Sequence, residues 1–183
     1  WTAQLPQWTL RATAERSLLS RERLSLSRHP ILFLPAENLR LVGDVCEVHA
    51  AFIEVLPDGT WQATGPLAFS GAWQGRAESA RWTSKNQLEL VGGPAPLRFQ
   101  GVEQLLGAFE VTGKRAIFSK ESTLLSGNAT CRFEGGPEQG PLFIQSQRIE
   151  WRGEEGMAEG QVRVEGLDWI ALGDSLDWHG EGA

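Results

Sequence analysis

A short pattern recurs along this chain and limits what it can fold into. In its clearest copy a run of small and polar residues leads to an aromatic, Ala77-Glu78-Ser79-Ala80-Arg81-Trp82. A polar turn follows at Ser84-Lys85-Asn86, and an apolar stretch, Leu88-Glu89-Leu90-Val91, ends in Gly92. A second copy runs from Gly113 to Phe118, turns at Lys120-Glu121-Ser122, and continues through Leu124-Leu125-Ser126 to Gly127. A third runs from Ser146 to Trp151, turns at Gly153-Glu154-Glu155, and reaches Gly160 and Val162. A partial copy lies at Leu39-Arg40-Leu41-Val42-Gly43-Asp44-Val45, and another opens at Leu172-Gly173-Asp174-Ser175-Leu176-Asp177-Trp178.

The motif glycines Gly43, Gly92, Gly127 and Gly160 are spaced 49, 35 and 33 residues apart. Self-similarity at that period points to an array of supersecondary units. The unit reads as a β-hairpin, because apolar runs too short for helices are separated by turn residues. Leu88 and Leu90 flank Glu89, Leu97 and Phe99 flank Arg98, and Val162 and Val164 flank Arg163. Period-2 alternation gives one apolar face and one wet face. The repeated glycine marks a bend, a bulge or a close backbone approach. One hairpin cannot bury its apolar face alone, so neighbours must stack. The expected fold is all-β, a stack of antiparallel hairpins in one domain over 1–183, with an ordinary β-sandwich of similar hairpins as the competitor.

Local signals fill in the order. Trp8 to Ala12, Leu24 to Leu26 and Ile31 to Leu34 read as strands. Val45 to Val55 reads as a strand pair or one bent strand. Pro57-Asp58-Gly59 is a strong hairpin turn, since Pro presets φ and Gly accepts the left-handed conformation. An extra hairpin there accounts for the longer first interval. Thr60 to Trp73 reads as two strands around Gly65-Pro66, and Gly135 to Pro141 as a loop.

No segment reaches the ~18 uninterrupted apolar residues of a membrane helix. The net charge of −6 argues against nucleic acid, which selects a basic surface. The chain begins at Trp1 and its one methionine is Met157, which leads us to expect that a preceding segment, a signal peptide or an anchor, was removed. Cys46 and Cys131 are expected to be buried free thiols, with a disulfide as the lesser alternative.

Candidates for chemistry are few. Gly173-Asp174-Ser175-Leu176 spells the signature of the GDSL-type serine hydrolases, with His179 close behind. The β periodicity offers no strand–turn–helix elbow for such a nucleophile, so a turn in the last repeat is the expected role. His29, His49 and His179 lie apart, without the spacing of metal ligands, and no metal or other cofactor is expected. Glu154-Glu155, Asp168 and Asp174 sit in turn-like stretches, and Asn128-Ala129-Thr130 fits the glycosylation pattern by chance. The aromatic stripe is more informative. Trp82, Phe118 and Trp151 recur at one place in the unit, and Val45, Ala129 and Val162 at another. Facing sheets of stacked hairpins would join these positions into one apolar channel.

The small-x-x-small-x-aromatic, turn, Leu-x-Leu-x-Gly-x-Val pattern resembles the OstA-type family of lipopolysaccharide transport proteins. That family includes the periplasmic bridge protein LptA, the inner-membrane-anchored LptC and the N-terminal domain of LptD. The likeness covers Ala77 to Val164 well, Trp8 to Val48 more loosely, and the stretch from Leu172 in part. It departs where the usual repeat tyrosine is Trp or Phe, and at the Pro57-Asp58-Gly59 insertion. The resemblance implies an open β-jellyroll, a folded-over antiparallel sheet holding acyl chains inside and sugar outside. It implies like domains joined end to end through edge strands, an inner-membrane transporter as a possible further partner, and a periplasmic location. On that basis the expected function is non-enzymatic carriage of lipopolysaccharide or a similar glycolipid. The expected lipid-facing residues are Trp82, Leu88, Leu90, Phe99, Phe118, Leu124, Phe133, Trp151, Val162 and Val164. A surface or adhesin-type β-repeat module is the alternative, and a hydrolase on Ser175 a remote one.

Overall fold

A computed structural model of the protein describes residues 2–5, 8–20, 22–34, 46–71, 73–83, 87–103, 107–135, 140–152 and 155–179. Among them the chain is all-β, without helix. Its strands are β1 (Thr2–Leu5), β2 (Trp8–Thr13), β3 (Arg16–Leu19), β4 (Leu24–Ser27), β5 (Ile31–Leu34), β6 (Cys46–His49), β7 (Phe52–Val55), β8 (Trp61–Ser70) and β9 (Trp73–Trp82). There follow β10 (Leu88–Val91), β11 (Leu97–Glu103), β12 (Gly107–Gly113), β13 (Arg115–Phe118), β14 (Thr123–Phe133), β15 (Leu142–Arg152), β16 (Glu155–Glu165) and β17 (Ile170–His179).

The pairing follows one rule. The chain crosses the sheet, turns, and returns antiparallel beside itself, but each crossing is interrupted near its middle. Thus β4 and β5 form one crossing; it pairs on one side with β3 and β2, and on the other with β7 and β6. β8 spans both β7 and β6. β9 spans both β10 and β11, which β13 and β12 then flank. β14 to β17 are crossings unbroken by a gap but irregular at their centres, where the register shifts between Ser126 and Ala129, Gln145 and Arg148, and Glu159 and Val162. The interruptions line up into a crease. It divides the sheet into a first half (β3, β4, β7, β10, β13 and the adjoining parts of the long strands) and a second half (β1, β2, β5, β6, β11, β12 and the rest).

Glycine explains the crease at two motif positions. Gly127 and Gly160 have φ of 79° and 78°, and each is followed by a second left-handed residue, Asn128 and Gln161. A pair of left-handed residues inserts a bulge that turns the strand, and glycine adopts that conformation without steric cost. Hydrogen bonds carry the sheet across the crease. The Gly92 N–H donates to the Lys114 carbonyl (2.8 Å), and the Lys114 N–H to the Ser126 carbonyl (2.9 Å).

That the crease folds the two halves onto each other follows from two rings. Phe99 on β11 lies beside Val111 on β12, seven residues before Phe118 on β13. Seven extended residues span about 23 Å, yet the Phe99 and Phe118 rings meet edge to face at 5.6 Å. The pass must therefore double back between Val111 and Phe118. Apolar side chains of both halves share the space enclosed, including Leu26, Ile53 and Trp61 from the first and Leu32, Val48 and Leu97 from the second, each almost wholly buried.

Of the sequence expectations, Thr60 to Trp73 differs: Trp61–Ser70 is one strand that bulges at Gly65-Pro66, not two. The second β-region of Val45 to Val55 is a bent strand, β6 and β7, meeting at Ala50-Ala51. Motif glycine Gly43 lies outside the described residues.

Two stability predictions follow. Gly75 faces inward between Phe69 and Phe99, whose rings close over it at 6.1 Å. A Cβ there would stand 2.7 Å from the Arg98 carbonyl oxygen, which cannot move without breaking the sheet. Gly75→Val should lower stability by about 1–3 kcal/mol in urea unfolding. At the Pro57-Asp58-Gly59 turn, Asp58 accepts hydrogen bonds from the Thr60 hydroxyl (2.7 Å) and backbone N–H (2.9 Å). These bonds hold its carboxyl below the ordinary 3.8. A depressed carboxylate contributes stability above the unfolded value and loses it as pH falls through the folded one. Asp58→Asn should therefore lower Tm slightly near neutral pH and leave it unchanged in strong acid, as read by thermal melts at both.

Candidate functional site: the apolar inner face

The inner face is assembled by register. Residues directly opposite each other on antiparallel strands share a face, so each transverse row can be read across the sheet. In the first half, one row runs Val55, Trp61, Trp82, Leu88, Phe118, Thr123, Trp151, Gly156, Trp178. Beside it runs a row of Leu26, Ile53, Ala63, Ala80, Leu90, Ala116, Leu125, Ile149, Ala158 and Leu176. In the second half Leu32, Val48, Phe69, Gly75, Phe99, Val111, Cys131, Ile144, Val164 and Ala171 continue the surface. Ala and Gly stand among the large residues of these rows, and Phe118 of the first half meets Phe99 of the second edge to face.

The sequence-predicted residues fall mainly on this face. Trp82, Leu88, Leu90, Phe99, Phe118, Phe133, Val162 and Val164 are all buried, and Trp151 is half-buried in the aromatic row. Leu124 is a correction. It stands opposite Ile117 and Glu150 on the outer face, and Leu125, 1% exposed, takes the inner place. The reason is parity: Phe118 pairs with Thr123, so the inward positions of β14 are the odd ones, and an apolar Leu-Leu pair in sequence hides which is which. Two members of the aromatic row were not anticipated. Trp61 follows the Pro57-Asp58-Gly59 turn as Leu88 follows its own turn, and this homologous placement was the available signal. Trp178 occupies the same row in the terminal strand.

The last crossing is where the inner face meets solvent. β17 pairs only with β16 among the described residues, and its side chains are exposed except Leu176 and Trp178, which are half-buried. Trp178 lies over Gly156, filling the space where a Cβ would otherwise project, and packs edge-on against Trp151 at 6.3 Å. On the outer side of β17, Ile170 and Leu172 are 62% and 77% exposed, next to Trp169.

The outer face is polar and paired. Glu89, only 7% exposed, is held by Arg81 and by Arg115 (2.5 Å). Glu150 is held by Arg148 (2.5 Å) and Arg152 (2.7 Å). At the free end of the second half lies an open groove of about 700 Å³. It is lined from the outer face by Gln74, Gln100, Glu110 and Arg132, and from the inner rows by Phe109 and Phe133.

Other candidates are not brought together. Ser175 sits mid-strand on β17 opposite Glu159, and His179 lies four residues further along the same extended strand, about 13 Å away. The histidine Nδ1 faces Glu155 instead, at 3.6 Å. Among the described residues no group of three His, Cys, Asp or Glu converges as metal ligands. Cys131 is a free, fully buried thiol, and burial pushes its pKa well up. Cys46 stands on β6, and its side chain lies outside the described residues. No helix among the described residues is long and apolar enough to cross a membrane.

Compared with known proteins, the chain matches no family model and no curated protein.

Gly156→Val should evict the Trp178 ring. Its indole N–H resonance, assigned by its absence in Trp178→Phe, should then exchange with water as rapidly as an exposed indole. An unchanged resonance would mean that the ring does not depend on the space above Gly156.

Proposed function

We propose that this protein carries an amphipathic glycolipid of the lipopolysaccharide type, without enzymatic chemistry, holding acyl chains between the two halves of an open β-jellyroll. The observation that carries this reading is the unbroken apolar inner face, row upon row from Leu26 to Trp178, on a sheet folded along one line. A folded sheet is joined at its crease and free at its opposite margin. Parting that margin admits an extended chain without breaking a strand pairing. Each CH₂ transferred from water contributes about 0.8 kcal/mol, so a few partly inserted chains suffice for binding. The polar outer face, with its Glu89 and Glu150 clusters, stays in water with the sugar. Strand edges at the two ends, unpaired among the described residues, fit β-augmentation by like domains, passing lipid along a continuous trough. Such a chain of domains belongs in a periplasm, between an inner-membrane transporter that supplies energy and the outer membrane.

A second reading has its own support. The centre is filled by its own side chains, with Trp61 2% exposed and Leu125 1%, while Trp169 is half exposed. A closed β-repeat module that binds a polymer or a protein by its surface would look like this.

Native mass spectrometry of protein purified without detergent separates the two. Carriage predicts adducts with the mass of a multiply acylated glycolipid; a surface module predicts bare protein. Phe118→Asp, at the interlock of the two halves, should reduce photo-crosslinking to glycolipid at least tenfold while soluble yield falls less. Equal loss of both would assign Phe118 to the core alone.

A further inference from the structure

The groove at the free end of the second half is built unlike the rest of the surface. Gln74, Gln100, Glu110 and Arg132 are consecutive members of one transverse outer row. Their chain neighbours Gly101, Phe109 and Phe133 belong to the adjoining inner row. Strand alternation thus brings a polar row and an apolar row to the two lips of one opening. We propose that this groove binds an uncharged sugar at the point where an amphiphile's head meets its chains; the inference rests on the carrier reading above.

The chemistry favours a sugar over an ionic head. The two glutamines each present two donors and an acceptor, and among the described residues neither has a hydrogen-bond partner. Arg132 adds donors and has no described carboxylate partner, while Arg98 pairs with Glu110. Arg132 and the neighbouring Arg98 are balanced in number by Glu110 and Glu134, so the groove carries no net charge that would select an ionic head. Hydroxyls, which donate and accept, satisfy such a mixed row. Val102, 79% exposed, and Pro141 supply an apolar edge for the C–H face of a pyranose. A volume of about 700 Å³ lies within the range of small-ligand pockets and accommodates one or two sugar rings.

The test uses two amphiphiles with one chain and different heads, dodecyl maltoside and dodecylphosphocholine, titrated calorimetrically below their micelle concentrations. Maltose alone is followed by amide chemical shifts. The full chain should bind the maltoside about tenfold more tightly. Maltose should shift resonances around Gln100 and Glu110. The double variant Gln74→Ala/Gln100→Ala, on exposed positions, should abolish both effects and leave phosphocholine binding and Tm unchanged. Equal affinity for the two heads, or a preference that survives the double variant, overturns the sugar site and leaves lipid carriage standing. Maltose shifts without binding of either amphiphile would support the sugar site and refute carriage. Absence of all binding refutes both.

Discussion

Everything in this fold depends on the crease. A meander of strands this long would otherwise present two flat faces, and its apolar face could be covered only by another layer. Bending every crossing at the same height lets one sheet supply both sides of its own core. The bend must occur without losing the ladder, because unpaired backbone groups at the centre of a protein are costly. Bulges solve this by inserting left-handed residues while the flanking residues stay paired. Where the crease passes β10 and β11 the device differs. There Gly92 to Pro96 leave the strand, and Gly92 keeps the ladder by bonding to Lys114. A Cβ on Gly92 would come within 2.6 Å of the Leu97 nitrogen, so glycine is required for closeness and not for φ.

The outer face has to stay single-layered, and its ion pairs serve that end. Isolated surface pairs contribute little, about 0–1 kcal/mol each. Glu89 is different because two guanidiniums close over it and leave it nearly buried beside Ile117. Arg148 is the converse case, one guanidinium reaching Glu150 on its own strand and Glu159 on the next. The outward pair Ile117 and Leu124 stands between these two charged groups, opposite Glu89 and Glu150, and is half-buried. Alternation alone therefore does not make the outer face polar; the charges placed around the two apolar residues do.

Much of this was legible because the period of the motif is the period of the structure. An aromatic before a turn and a glycine after it mark, respectively, the inner row and the crease: Trp82 and Gly92, Phe118 and Gly127, Trp151 and Gly160. What was hidden follows from how the same geometry can be met by other residues. The first described crease is made by Arg28 and His29, with φ of 59° and 58°, and nothing in their side chains announces a left-handed pair. The sequence conceals the inner position of β14 because Leu124 and Leu125 are chemically identical and only cross-strand register tells them apart. Trp61 is hidden because its hairpin lengthens the first glycine interval and so resembles an insertion, when it is another copy of the unit with Gly65 as its crease residue. The groove could not be foreseen at all, since Gln74, Gln100, Glu110 and Arg132 are distant in sequence and meet only through register.

An array of this kind has to end, and its last crossing shows what ending requires. Each inner residue is normally covered by neighbours on both sides, but among the described residues β17 has a neighbour on one side only. Its inner row would leave Trp151 bare if Gly156 were followed by another small residue. Trp178 instead leans back across Gly156 onto Trp151, so the terminal strand covers the row before it. The opposite face receives no such cover, and Ile170 and Leu172 remain in water beside Trp169. Soluble edge strands usually carry charge or proline to discourage pairing. Here the charges of β17, Asp174 and Asp177, lie in its central and first-half portion, while the portion from Ile170 to Gly173 is uncharged. The described edge is thus charged in one half of the fold and uncharged in the other, a difference that the inner rows, apolar in both halves, do not share.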